Sequence, residues 1–284
     1  MDYPVWIPAV FLLIAVLFLG GCNLQYRMLY YPSGTVPSEQ SLASSDLRFW
    51  PSSADGYRGF TGSTEPADAR GTFIVFHGNG GTAADRDFYA KALCGFGFRV
   101  ILAEYPRYGG RGGELGEKAF VQDAGETVRR AFEMYGGPVY LLGESLGCGV
   151  VAATVASTPV PVAGVVLITP WDTLRSVAGE HFPFLPVRLF LKDSYDSVTN
   201  LSNFRGPIAV VGAERDGIIP IRHARDLYGA LSSPAKRMWA IPKAGHNDWP
   251  MHVDRSFWDE IVRHMSSCRI PTPADPERTG KGGV

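Results

Sequence analysis

From residue 71 onward the chain alternates short, continuously apolar runs with stretches of helical periodicity, and this alternation restricts the fold more than any other feature. The runs are "TFIVF" (72–76), "RVILAEY" (99–105), "VYLL" (139–142), "VVLI" (165–168), "IAVVG" (208–212) and "RMWAI" (237–241). They are mostly rich in β-branched and aromatic residues, and unbroken apolar runs of this length suit strands covered on both faces of a parallel sheet. Helices are expected between them over 84–94, 117–135, 146–157, 221–232 and 254–266. Within 117–135, Ala119, Phe120, Ala124, Val128, Ala131, Phe132 and Tyr135 recur with the 3.6-residue period of one buried face. Strand–helix–strand in repetition means right-handed crossovers. The expected fold class is therefore α/β, a mostly parallel, doubly wound sheet. Upstream, "DLRFW" and "YRGFTG" alternate enough to form an antiparallel hairpin at its edge.

One segment breaks the rhythm. Residues 170–206 hold no clear strand but include "HFPFLPVRLFL", an apolar stretch with two prolines. A connection that long inside a compact domain is usually functional, so a short lid-like, substrate-facing insertion is expected, with added core packing as the alternative. A chain of 284 residues, 45% apolar, can bury the core of one such domain, placed at 45–268.

The ends differ from the middle. Residues 4–22, "PVWIPAVFLLIAVLFLGGC", carry no charge. The stretch Ala9–Leu19 has the length of a secretory h-region, and the following "LGGC" resembles the bacterial lipobox, in which the cysteine, here Cys22, is acylated after cleavage. The region before it, "MDYP", has no lysine or arginine, so an uncleaved single anchor is the alternative, with Arg27 then favouring a cytoplasmic domain. A cleaved ordinary signal peptide is the third reading. Membrane association through residues 1–22 is expected, as a bacterial cell-envelope lipoprotein in the first reading. Residues 23–44 read as a linker, and 269–284, rich in Pro, Gly and charge, as a disordered tail.

Several function classes are disfavoured. A net charge of −1 without any block of like charge gives no footprint for nucleic acid. Four scattered cysteines form neither a disulfide framework nor a zinc ribbon, and the six histidines have no metal-ligand spacing. No dinucleotide or phosphate-loop fingerprint is present, so no cofactor is expected.

The chemistry-bearing residues lie just past strand ends. In an open parallel sheet, reactive groups gather at the carboxyl ends of the strands. After "VYLL" comes "GESLG" with Ser145; after "IAVVG" comes "AERDGIIP" with Asp216; after "RMWAI" comes "PKAGHNDW" with His246. Serine, acid and base follow one another in an order known for nucleophilic acyl transfer. His246 would accept the serine proton, and Asp216 would orient the imidazole. Asp172, in "TPWDT", is the alternative acid, and His252 a weaker alternative base.

These motifs resemble the α/β-hydrolase superfamily over roughly residues 45–266, with "GESLG" as the nucleophile elbow. The apolar N-terminus together with "QYRMLYYP" (25–32), "VFHGNGG" (75–81), "EYPRYGG" (104–110), "GESLG" and "AERDGIIP" resembles its Bem46-like, single-anchor branch. "EYPRYGG" departs from the Asp-Tyr-Arg-Gly-Tyr-Gly loop more usual there, and Arg107 is given no role. The resemblance implies that the elbow supplies the N–H of Leu146 to an oxyanion, and that the residue after His-Gly, Asn79, supplies the second. It further implies a membrane-tethered serine hydrolase that cleaves esters or thioesters through an acyl-enzyme on Ser145. Its substrates would be small ester or acyl compounds, with lipids or acylated proteins among them. A non-catalytic envelope binding protein on the same scaffold, or a peptidase of the same fold, are the alternatives.

Overall fold

The computed structural model describes residues 25–51, 56–184, 186–187 and 191–267. Among them, eight strands form one sheet: β1 Leu47–Trp50, β2 Gly59–Gly62, β3 Thr72–Phe76, β4 Arg99–Ala103, β5 Val139–Glu144, β6 Val162–Ile168, β7 Ile208–Ala213 and β8 Lys236–Ile241. Their order across the sheet is β8-β7-β6-β5-β3-β4-β2-β1. Pairings from β8 to β4 are parallel, and β1–β2 and β2–β4 are antiparallel, so the expected edge hairpin is present. Chain order reverses around β3, between β4 and β5, which places the crevice used by open α/β sheets above the carboxyl ends of β3 and β5.

The longer helices are α1 Asp87–Cys94, α2 Glu117–Tyr135, α3 Leu146–Ser157, α4 Leu174–His181, α5 Ile221–Ala230 and α6 Arg255–Ser267. Side chains of a strand alternate between faces, and β3 divides accordingly. Phe73 and Val75 pack with Tyr89 and Leu93 of α1 and Trp258 and Ile261 of α6. Ile74 and Phe76 pack with Phe120 and Val128 of α2, Val150 and Val151 of α3, and Leu227 of α5. Every residue of β3, β6 and β7 is buried, which is why those runs lack polar alternation. Helix α3 is buried continuously from Leu146 to Thr154 and therefore has no polar face. Helix α5 stops at Ala230, earlier than its apolar pattern suggests, because Pro234 disfavours a helical conformation at Ser233 and ends the run.

Within 170–206 the described residues fall into two parts. Helix α4 projects over the carboxyl ends of the strands, while Tyr195 and Leu201, both fully buried, return the chain to the core. Among the described residues, cavity lining and core packing are thus consecutive parts of one insertion.

The stretch 23–44 differs from the expected linker. From Gln25 on it packs against the domain: residues 25–29 are helical, and Tyr30 and Leu42 are buried. Asp193 explains the attachment, accepting hydrogen bonds from Gln25 Nε2 at 2.7 Å and from the Tyr30 hydroxyl at 2.6 Å. Those partners are more than 160 residues away in sequence, which local composition does not reveal. Residues 1–24, with Cys22, and the tail from 268 lie outside the described residues; among the described ones no helix is long and apolar enough to cross a membrane.

Candidate active site

Ser145 sits between the end of β5 and the start of α3 with φ 53° and ψ −115°, a sparsely populated conformation for a residue with a side chain. Such a residue stores about 1–3 kcal/mol of strain, which the surrounding contacts must hold. Here the Ser145 N–H donates to Ile168 O at 2.9 Å, and its carbonyl accepts from Cys148 N–H at 2.9 Å. The two flanking glycines leave room for this turn. A Cβ on Gly147 would fall 1.9 Å from Phe76 O, and one on Gly143 2.5 Å from Gly147 O. Only hydrogen fits at either position.

The other two groups arrive from neighbouring strand ends. Ser145 Oγ lies 3.0 Å from His246 Nε2, and His246 Nδ1 lies 2.7 Å from Asp216 Oδ2. Asp216 has its other oxygen occupied: Oδ1 accepts from the N–H groups of Ile218 and Ile219 at 2.9 and 2.7 Å. The carboxylate is therefore fixed in orientation and assigns the ring proton to Nδ1, which leaves the Nε2 lone pair for the serine O–H. Asp216 is almost wholly enclosed and His246 only slightly exposed, so little water competes along this chain.

The loop after β3 faces the same serine. Its backbone is held by groups that sequence reasoning did not single out. The Asn79 carbonyl accepts from Tyr31 N–H at 2.9 Å and from the Tyr108 hydroxyl at 2.7 Å. Burial pushes the Tyr108 hydroxyl pKa up, which keeps it a donor. His77, fully buried, is placed by Gly78 O at 2.8 Å and Glu104 Oε1 at 2.9 Å, and Glu104 Oε2 accepts from Ala83 N–H at 2.9 Å. Tyr105 donates its hydroxyl to His77 O at 2.7 Å, so "EYPRYGG" contributes its first, second and fifth residues to the support of "HGNGG", while Arg107 is exposed to solvent. The only sequence signal for these roles was that the two motifs co-occur.

A cavity of about 840 Å³ opens above Ser145. Asn79, Leu146 and His246 border it together with Ser145, so of the expected site residues that are described only Asp216 does not line it. Asp216 lies behind His246, out of the cavity, as an orienting group should. Its roof comes from α4 and the residues after it, and one wall from the N-terminal stretch through Met28, Leu29 and Tyr31.

The alternative residues have other partners. Asp172 Oδ1 lies 2.8 Å from His223 Nδ1, whose Nε2 is 2.9 Å from Glu180 Oε2; this trio ties the end of α4 to α5. His252 lies 3.5 Å from Asp248 at the surface and touches neither Ser145 nor Asp216. Glu144 accepts from Arg86 Nε and the Tyr89 hydroxyl, bracing the elbow against α1 and the turn before it. Cys148 is buried, and that burial pushes its thiol pKa well up, away from nucleophilic reactivity. Among the described residues no group of three or more His, Cys, Asp or Glu side chains is placed to hold a metal ion.

Comparison with known proteins places the fold. Residues 67–192 match the family model described as serine aminopeptidase, S33. An uncharacterized protein of Mycobacterium tuberculosis is 32% identical over 257 residues, covering 87% of this chain and 89% of its own length. The chain belongs to the α/β-hydrolase family. Protein bem46 of Schizosaccharomyces pombe is a more distant relative of this α/β-hydrolase, 23% identical over 218 residues and covering 74% of the chain and 72% of itself. An esterase of Pyrococcus furiosus shares the fold with a TM-score of 0.62 at 15% identity, over 84% of this chain and 98% of its own.

Proposed function

We propose that this α/β-hydrolase is a membrane-tethered serine hydrolase that cleaves carboxylic esters or thioesters through an acyl-enzyme on Ser145. The observation that carries this reading is the continuous chain Ser145 Oγ–His246–Asp216, at 3.0 and 2.7 Å, opening into the cavity. Ser145 Oγ attacks the substrate carbonyl while His246 Nε2 takes its proton; the C–O or C–S bond to the leaving group breaks, and His246 returns that proton to it. Water, deprotonated by the same histidine, then cleaves the serine ester, and Ser145 regains its proton. Negative charge on the carbonyl oxygen is met by the N–H groups of Leu146, at the start of α3, and of Asn79, the largest single aid to such a reaction.

The family description raises a second reading, an aminopeptidase. Such an enzyme has to hold a substrate ammonium, which costs several kcal/mol to bury without a partner. None of the described residues lining the cavity is an Asp or Glu, so the ester reading is preferred. Mixing the enzyme rapidly with p-nitrophenyl butyrate tests it: a burst of one p-nitrophenolate per chain, and a butyryl mass on Ser145, are expected. Hydrolysis of amino-acid p-nitroanilides in preference to esters would favour the peptidase. The tether is assigned to residues 1–22, with acylation of Cys22 in the lipoprotein form and an uncleaved span as its alternative. Expression of Cys22→Ser separates the two, because only the lipoprotein form loses lipid mass and processing.

A further inference from the structure

The cavity is larger and more apolar than chemistry at a serine requires. An attacked carbonyl and its oxyanion donors occupy one side of it, where Ser145, His246, Asn79 and Leu146 converge. Most of the remaining lining is hydrocarbon or aromatic, and none of the described lining residues is Asp, Glu, Lys or Arg. At about 840 Å³ it lies toward the upper end of the range of small-molecule sites. An acetyl group would leave almost all of it filled with water against apolar walls, which is unfavourable in proportion to the area left wet.

The lining is also graded in exposure. Trp171, Leu174, Val177 and Ile219 are between 3% and 8% exposed and make up an enclosed part of its wall, most of it on or beside α4. Met28, Tyr31 and Ile218 are between 43% and 55% exposed and make up its solvent-facing part. In acyl transfer the leaving group must depart and water must then reach the serine ester, so the part of the substrate that leaves belongs at the solvent-facing part. The part that stays bonded to Ser145 throughout the cycle suits the enclosed wall.

On this basis we infer that the enclosed wall at α4 is an acyl-chain site, and that the substrate is an ester or thioester of a long, uncharged fatty acid. The inference rests on the serine-hydrolase reading above and narrows it. It needs no co-reactant but water, since the acyl group passes from the leaving oxygen or sulfur to Ser145 Oγ and then to hydroxide. A dicarboxylic or otherwise charged acyl group is disfavoured, because its charge would be desolvated with no partner.

The test uses the full chain and two ester series at concentrations below those at which the esters aggregate. In one, p-nitrophenyl esters run from acetate to laurate; in the other, acetate is held and the alcohol is lengthened. kcat/KM is expected to rise by up to about fourfold for each added acyl methylene, the ~0.8 kcal/mol of its transfer from water, until the cavity is filled. It should stay nearly flat in the alcohol series. Val177→Phe and Ala178→Trp, each checked for folding by its melting transition, are expected to lower the laurate-to-butyrate ratio at least tenfold. A flat acyl series, or a rise only with alcohol length, overturns the inference while leaving the serine hydrolase intact. If no ester of either series is turned over and a fluorophosphonate leaves no adduct on Ser145, the serine-hydrolase reading itself fails, and the inference with it.

Discussion

The Tyr108 hydroxyl donates a 2.7 Å hydrogen bond to the carbonyl oxygen of Asn79, the residue whose N–H the proposed reaction uses as an oxyanion donor. The same oxygen accepts from Tyr31 N–H at 2.9 Å, so residues from two distant parts of the chain fix the loop's conformation. Tyr108 acts as a positioning residue. Tyr108→Phe keeps the buried ring and removes one of the two bonds. It is expected to lower kcat about tenfold with little change in KM, and to cost about 1 kcal/mol of stability. Steady-state kinetics with one ester, set beside a urea melt, would separate the two effects; a purely structural role would move only the melt.

Asp216→Asn should be far more damaging than its size suggests. Asp216 Oδ1 is already taken by two backbone N–H groups, so the amide oxygen of asparagine would stay there and its NH2 would face His246 Nδ1. The ring proton is then driven to Nε2, where it opposes the serine O–H. A fall in kcat of about 10³–10⁴-fold is expected with the fold unchanged. The rate of p-nitrophenolate release in single turnovers checks it.

Two glycine-to-alanine changes should move stability in opposite directions. At Gly147 the new methyl would meet Phe76 O at 1.9 Å and His77 O at 2.8 Å, both backbone atoms that cannot give way cheaply. Gly147→Ala is expected to cost more than about 3 kcal/mol, or to prevent folding. Gly125 lies within α2, and a methyl there would have nothing within 4 Å, so Gly125→Ala should stabilise by about 0.5–1 kcal/mol. Chemical denaturation of both variants decides.

Acid should weaken the fold partly through His264. Its pKa is lowered from 6.5 in the folded state, first by burial in α6 and further by the nearby Arg237, against the opposing pull of its bond to Ile208 O. The unfolded chain therefore binds the proton more readily than the folded one. Stability contributed by neutral His264 is complete above about pH 6.5 and is lost as pH falls through the lowered folded value. His264→Gln, which retains a donor for Ile208 O, should flatten the decline of melting temperature between pH 7 and 5.

The two tethers of α4 predict how the cavity's roof moves. Glu180 reaches His223 at 2.9 Å and also pairs with Arg222, while His181 Nε2 lies 2.7 Å from Ile218 O. Glu180→Ala removes the first tether and leaves the second. Amide exchange across 174–181 is expected to accelerate about five- to tenfold, the equivalent of about 1 kcal/mol, with β3 and β5 unaffected. Equal acceleration in the sheet would mean that Glu180 supports the whole domain.

The strands and the hydrogen-bonded trio of Ser145, His246 and Asp216 were legible in the sequence for one physical reason. A strand buried on both faces has to be apolar along its whole length, and the chemistry of an open sheet has to lie just past such strands, so Ser145, Asp216 and His246 could be found by position. Gln25, Glu104 and Tyr108 could not. Their roles come from segments that meet across the fold, Gln25 with Asp193 and Glu104 with His77, and neither periodicity nor local composition records those meetings. For the same cause residues 25–44 read as a linker although Tyr30 is buried in the domain.

The proposed chemistry depends above all on Ser145 being the nucleophile. Reacting the full chain with a fluorophosphonate and measuring its intact mass, followed by peptide mapping, tests it directly. One adduct per chain, located on Ser145 and absent from Ser145→Ala, is the predicted result. No adduct on the folded wild-type protein, or an adduct that persists in Ser145→Ala, would contradict it.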